Sequence, residues 1–481
     1  MLFNSLEFIL IFLPITLIGF HLISNKKLKL TWITIFSLIF YGYWNWKFIG
    51  LIILSIIIDY LCGKKITELL PSSNARAKKW MLISIISNLA ILAFFKYCDF
   101  FINSFNFFID TSQKIELLNI ILPVGISFYT FQSMSYSIDL YRGEAKPTKS
   151  FLHFTTYVTL FPQMIAGPIV RYKSISQQIN NLSNKINWEL FYKGLFYFAL
   201  GLSRKILIAD TFAKIADPFF NYFSVFQHGF VVSWLGLISY SLQIYFDFSA
   251  YSEMAIGLGL MIGFIFPINF NSPYRALSFS DFWSRWHITL SEFLRDNLYI
   301  PMGGNRKGSY NTYKFLMITM LIGGLWHGAS WMFVIWGALH GVYLAVERLL
   351  IGKIKKRNIF YSLFVYFSVC IAWIFFRSND VTTAYEILKS CLFINGVESF
   401  EPVYVLFNYK FLPEFTSFIP LKHILFIVTG LFLVFFMPNV NSLIEKNKIY
   451  KHKYSLFLIA IILIIDILFC FQNSPFIYFQ F

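Results

Sequence analysis

The chain has 481 residues, of which 57% are hydrophobic and only 13% charged, with a net charge of +16 and a mean hydropathy of +0.62. A soluble globular chain carries about 25% charged residues, so this composition excludes one. The basic excess does not read as a nucleic-acid footprint either, because the lysines and arginines fall in short loops between apolar runs.

Crossing the hydrocarbon core takes roughly 20 apolar residues. On that measure about eleven spans are expected, near 5–23, 31–44, 48–62, 81–97, 118–140, 191–208, 231–250, 253–270, 314–334 with 331–350, 358–376, 422–438 and 455–471. Residues 151–169 read as a re-entrant piece. The first span lacks a basic leader and a small-residue cleavage site, so it reads as retained. The basic loops at 25–29, 63–79, 142–149, 352–357 and 445–453 are expected on the cytoplasmic side. The loop at 98–117, with Asp99, Asp110 and Glu116 against Lys114, then faces out. The same alternation sends the last span outward and leaves the C-terminal tail outside the cytoplasm. The five cysteines are scattered without metal-ligand spacing and read as packing residues.

Polar groups at membrane depth are functional suspects, and here they concentrate in 243–340. "QIYFDFSAYSEMAIGLG" embeds Asp247 and Glu253 in apolar sequence, either satisfied by neighbours or engaged in binding. In "NFNSPYRALSFSDFWSRWHITLSEFLRDNLYIPMGGNRKG", Ser280 or Asp281 is suited to cap a helix. Trp283, Trp286, Leu290 and Phe293 recur at helical spacing, which predicts an amphipathic segment along the cytoplasmic face, carrying His287 and closed by the turn "PMGGNRKG". In "LIGGLWHGASWMFVIWGALHG", His327 sits among glycines with no lysine or arginine for a dozen residues on either side. Such a histidine suits a general acid or base, since its ordinary pKa lies near physiological pH. It also suits a plain hydrogen bond to a neighbouring helix carbonyl, a role that fits His340 better. There is no G-x-S-x-G elbow, H-E-x-x-H zinc site, P-loop or G-x-G-x-x-G.

The 243–340 block, together with "ILPVGISFYTFQSMSYSIDLYRG" and "LFPQMIAGPIVR" upstream and "AWIFFRSND" downstream, closely resembles the membrane-bound O-acyltransferase family. The match is to the bacterial branch that holds the membrane subunits of alginate and peptidoglycan O-acetylation. The resemblance implies an all-α polytopic membrane protein: a ring of tilted helices, with re-entrant and amphipathic pieces, around a thinned centre. It implies one integral-membrane domain over 1–471, with 472–481 as an aromatic tail outside. The family's signature histidine corresponds to His327, and its second polar residue to His287, forty positions earlier. Gln163, Asp247, Tyr251, Arg285, Trp286 and Trp326 lie in the matching stretches and are expected to bind substrate. The implied reaction moves acetyl from cytoplasmic acetyl-CoA, as substrate and without a further cofactor or metal, to an extracytoplasmic polysaccharide. A bacterial inner-membrane location, an external O-acetyltransferase partner and surrounding lipid come with it. The Ile-, Phe-, Lys- and Asn-rich composition leans towards peptidoglycan over alginate.

The chain finishes on "NSPFIYFQF". In D-alanyl transferase relatives a partner protein ends on a similar aromatic motif whose tyrosine carries the acyl group, which makes Tyr478 a third catalytic candidate. Seven residues separate Phe471 from Tyr478, and an extended chain of that length spans roughly 23–25 Å. Half the hydrocarbon core is about 15 Å, so the phenol has the reach to return to the membrane middle. The competing reading of the tail is an aromatic belt at the interface. Those of the whole chain are a multi-pass transporter and a non-enzymatic scaffold.

Overall fold

The computed structural model describes residues 1–109, 113–223, 229–351, 358–396, 419–470 and 476–477. Among them every regular element is helical, and Tyr478 lies outside them. Among the described residues four helical stretches are long and apolar enough to cross a membrane: Lys26–Leu69, Asn74–Asn106, Trp331–Leu350 and Ile359–Arg377. Shorter apolar helices cover Phe8–Leu22, Lys422–Phe436 and Ser455–Phe469. The protein is a multi-pass membrane protein.

The chain forms two compact units that interleave along the sequence. The first comprises Met1–Ala199, Tyr251–Ile268 and Lys453–Ile459. Its helices begin where short polar side chains can hold free N–H groups. The Asn25 carboxamide accepts from Lys27 and Leu28 to start Lys26–Asn45, and Ser150 accepts from His153 to start Phe151–Thr159. Inside, the Asp59 side chain takes hydrogen bonds from Ser84 at 2.6 Å and from the Asn88 amide at 2.8 Å, so its buried oxygens are met by the protein. Helix Ile126–Tyr141 is buried along almost its whole length. The stretch expected to be re-entrant is two short helices, Phe151–Thr159 and Phe161–Met164, parted at Leu160 and buried from Phe154 onward.

The second unit comprises Leu200–Ala250, Asn269–His452 and Ala460–Phe481. Gly308–His327 and Trp331–Val346 form an antiparallel hairpin whose closeness has a steric cause. A Cβ on Gly324 would stand 2.2 Å from the Phe333 carbonyl oxygen, and one on Gly337 would stand 2.3 Å from that of Met320. Only hydrogen fits at either place. Helix Ile359–Arg377 packs on the hairpin through Trp373 and Phe376, which contact Trp336 at ring separations of 5.7 and 5.2 Å.

Three expectations are corrected by the structure. The spans at 231–250 and 253–270 are one continuous helix, Phe230–Met261, after which the chain is irregular up to Asn271. Asp247 and Glu253 do not interrupt it. The amphipathic segment is two short helices, Phe279–Trp283 and Ile288–Leu294, with His287 at the break in the left-handed conformation (φ +43°). The cap of the first is Ser278, whose hydroxyl accepts from the Asp281 N–H at 2.9 Å; neither Ser280 nor Asp281 fills that place. Glu347 reinforces it by accepting from the N–H groups of Phe279 and Ser280, both at 3.1 Å.

Candidate active site

His327 is the last residue of Gly308–His327, placed where the chain leaves the helix for the link to Trp331–Val346. The expectation of a histidine within a continuous span becomes a histidine at a helix break. Its side chain is enclosed by rings: Trp336 at 5.0 Å, Trp326 at 5.1 Å and Phe376 at 5.3 Å, all edge-on. Only 4% of the residue is exposed.

His287 is fully buried, and its ring lies 6.4 Å from that of His327. Trp326 touches both, 5.9 Å from His287, and Phe248 closes the other side of His287 at 4.8 Å. A positive φ is uncommon outside glycine, and such strain persists only where the surroundings hold it. Here Asn269 does the holding. Its Oδ1 accepts from the Thr289 N–H at 3.2 Å and from the Thr289 hydroxyl at 2.9 Å, and it lies 3.2 Å from His287 Nδ1. An oxygen cannot donate, so Nδ1 carries the proton and Nε2 of the neutral ring is the acceptor. The Ile288 N–H also donates to the Asn269 carbonyl at 3.0 Å, which fixes the backbone at the break.

A cavity of ≈ 290 Å³ opens at His327. It is lined by the apolar side chains of Trp283, Leu290 and Trp336 and by the polar ones of Arg295, Asn305 and Arg348, with Arg295 also paired to Asp296 at 2.7 Å. A lining that combines apolar rings with guanidinium groups suits a molecule with an apolar reacting end and an anionic carrier.

The other expected residues fall in different surroundings. Trp326 is part of the histidine enclosure. Trp286 is fully buried beneath it, stacked on Phe282 at 5.8 Å and tilted on Trp373 at 5.1 Å. Arg285 pairs with Asp281 at 2.7 Å and donates to the Asn271 carbonyl, which ties two loops together. Asp247 is bound to Lys205 at 2.9 Å, and Lys205 also pairs with Asp210 at 2.8 Å, all three buried. Gln163 and Tyr251 belong to the first unit, where the Gln163 amide donates to the Tyr157 carbonyl at 2.6 Å and Tyr251 stacks on Phe3 at 4.7 Å. His340 does not make the helix-carbonyl bond expected of it. Its two ring nitrogens have no hydrogen-bond partner among the described residues, and the ring is boxed by Phe282, Trp283 and Trp336.

Asn269, Lys205, Asp210, Trp336 and Phe376 were not singled out by sequence. Lys205 carried a usable signal, a lysine inside the apolar run 191–208. Among the described residues no cluster of three or more histidine, cysteine or carboxylate side chains has the arrangement to hold a metal ion.

Comparison with known proteins agrees with the resemblance in the motifs. The model of MBOAT, the membrane-bound O-acyltransferase family, matches residues 38–378. The peptidoglycan O-acetyltransferase of Helicobacter pylori is 39% identical over 431 residues, covering 82% of this chain and 81% of its own. The protein named "Probable alginate O-acetylase AlgI" from Pseudomonas putida is 42% identical over 392 residues, covering 80% and 79%. The teichoic acid D-alanyltransferase of Streptococcus thermophilus is 28% identical over 255 residues, covering 50% and 60%.

Proposed function

Since this chain belongs to the membrane-bound O-acyltransferase family, and is therefore an O-acyltransferase, we propose that it moves acetyl from cytoplasmic acetyl-CoA to a polysaccharide hydroxyl outside the cytoplasm. His327 is the general base in this reading, and His287 orients the thioester. The observation that carries it is the pair of buried imidazoles 6.4 Å apart, with His327 lining a cavity whose wall also includes Arg295 and Arg348. The arginines suit the phosphates of the donor, and the apolar wall suits its thioester arm.

The chemistry follows from what each group can do. A hydroxyl is a poor nucleophile until a base takes its proton, and a positioned base is worth about 10²–10⁴-fold. His327 accepts that proton as the hydroxyl oxygen bonds to the thioester carbonyl carbon. The C–S bond then breaks, and the leaving thiolate recovers the proton from His327. The aromatic enclosure keeps water, a competing nucleophile, away from the thioester.

Acetyl as the transferred group is supported by relatives named O-acetyltransferase and O-acetylase, against the more distant D-alanyltransferase. Identities of 39% and 42% to the peptidoglycan and alginate proteins do not choose between polymers. The preference for peptidoglycan rests on composition. In the fuller form of the proposal Tyr478 is the first acceptor and hands acetyl to an external O-acetyltransferase. The burial of Phe476 and Ile477, 2% and 1% exposed, favours a docked tail over an interfacial belt.

The test is mass spectrometry of the C-terminal peptide after the purified protein meets acetyl-CoA, beside Tyr478→Phe and His327→Ala. One acetyl on Tyr478 that needs His327 is the expected result. An unmodified tail in a preparation that turns over acetyl-CoA removes the relay and leaves direct transfer.

A further inference from the structure

The buried ion cluster around Lys205 has a feature that simple charge pairing does not require. One ammonium lies between two carboxylates, Asp210 at 2.8 Å and Asp247 at 2.9 Å, with the three side chains 3–6% exposed. Such a group has more acceptor oxygens than the lysine can serve, and buried acceptors are expensive when unmet. Lys205 engages Asp247 through Oδ1. Oδ2 of the same carboxylate accepts from the backbone N–H of Ile477 at 2.8 Å.

That bond joins positions 230 residues apart and holds the tail from its backbone, whatever side chain Ile477 carries. Beside it the Phe476 ring lies 6.0 Å from Phe248, the residue after Asp247, and Phe248 is the ring packed edge-on against His287 at 4.8 Å. A single turn of Phe230–Met261 thus grips the tail with Asp247 and touches the histidine centre with Phe248. Lys205 itself sits in the π-helical turn Arg204–Ala209, a local widening common where a helix serves a site.

We propose that Lys205, Asp210 and Asp247 form a clasp for the aromatic tail. Asp247 is a positioning residue: it fixes the chain at Ile477, one residue before Tyr478, while Lys205 holds the carboxylate in place. This deepens the relay reading and rests on it for its purpose, though the clasp itself is a matter of binding. The backbone bond by itself sets no register, which falls instead to the Phe476 ring against Phe248. Sliding the tail by one residue would bring a different side chain against Phe248.

Hydrogen–deuterium exchange of the segment 473–481 in the full-length protein tests the clasp without any acetyl transfer. The wild-type segment is expected to be protected. Asp247→Ala should speed its exchange by roughly ten- to a hundredfold, the loss of one hydrogen bond to a charged group. Because Asp247→Ala also unbalances the cluster, leaving Lys205 with Asp210 alone, two further variants keep the result readable. Ile477→Pro removes the donated N–H along with the Ile477 side chain and its φ freedom, and the triple change Lys205→Met, Asp210→Leu and Asp247→Leu replaces all three charges by apolar groups of similar bulk. Both should free the tail while exchange in Gly308–His327 stays as in wild type. Unchanged tail protection in these folded variants would overturn the clasp.

Acetyl on Tyr478, read in the same samples, separates the two proposals. Ile477→Pro is expected to lower it about tenfold. Full acetylation from a freed tail would overturn the positioning role. A wild-type tail that is protected but never acetylated would count against the relay and leave the clasp standing.

Discussion

The rings of His287 and His327 lie 6.4 Å apart at an interplanar angle of 64°, although forty residues separate them and each stands at a helix end. His327 closes one helix and His287 precedes another, so neither imidazole is locked into a helical face. Trp326 wedges beside both.

Removing either imidazole should leave a folded but crippled enzyme. His327→Ala is expected to lower acetyl transfer by about 10²–10⁴-fold, the usual worth of a positioned base. His287→Ala should lower it less and chiefly weaken use of the donor. Steady-state rates at several acetyl-CoA concentrations check both, and near-wild-type rates for His327→Ala would remove the base assignment.

Asn269 should matter more than an unremarked asparagine usually does. Asn269→Ala deletes the acceptor shared by Thr289 and His287. That should cost about 1–3 kcal/mol of stability for the donors left unmet. It should also release the strained His287 backbone, so transfer should fall further than stability. Thermal unfolding in detergent beside transfer rates measures the two effects separately.

The Gly324–Gly337 contact leaves no room for a methyl group. Gly337→Ala would force a Cβ against the Met320 carbonyl and part the hairpin that ends on His327. The expected loss is about 1–3 kcal/mol, typical of overpacking. A lower melting temperature with reduced transfer is the sign to look for.

Glu347 should prove structural. Its carboxylate serves the N–H groups of Phe279 and Ser280 and the Tyr361 hydroxyl, and it anchors the helix whose Trp283 walls the cavity. Glu347→Ala should lower stability by about 1–3 kcal/mol, and Glu347→Gln, which keeps an acceptor oxygen, by less. Melting temperatures of the pair decide it.

What could be read from the sequence divides along physical lines. The helical, membrane-embedded class is written in the apolar runs, which depend only on local composition. His287 and His327 stood out because polar groups are costly in such runs and because the surrounding motif is long. The helix break at His287 was hidden, since Trp283, Trp286, Leu290 and Phe293 keep helical spacing straight across it. The role of Asn269 was hidden as well, because its bond to His287 exists only once the backbone at 287 turns left-handed. Asp247 was visible as a buried charge, but its partners Lys205 and Ile477 lie 42 and 230 residues away, beyond any local pattern.

The most direct measurement is thiol release from acetyl-CoA by the full-length protein in membrane vesicles, wild type against His327→Ala. The two-histidine centre requires rapid release in wild type and a loss of about a hundredfold or more in the variant. Equal release from both would contradict it and place the base elsewhere.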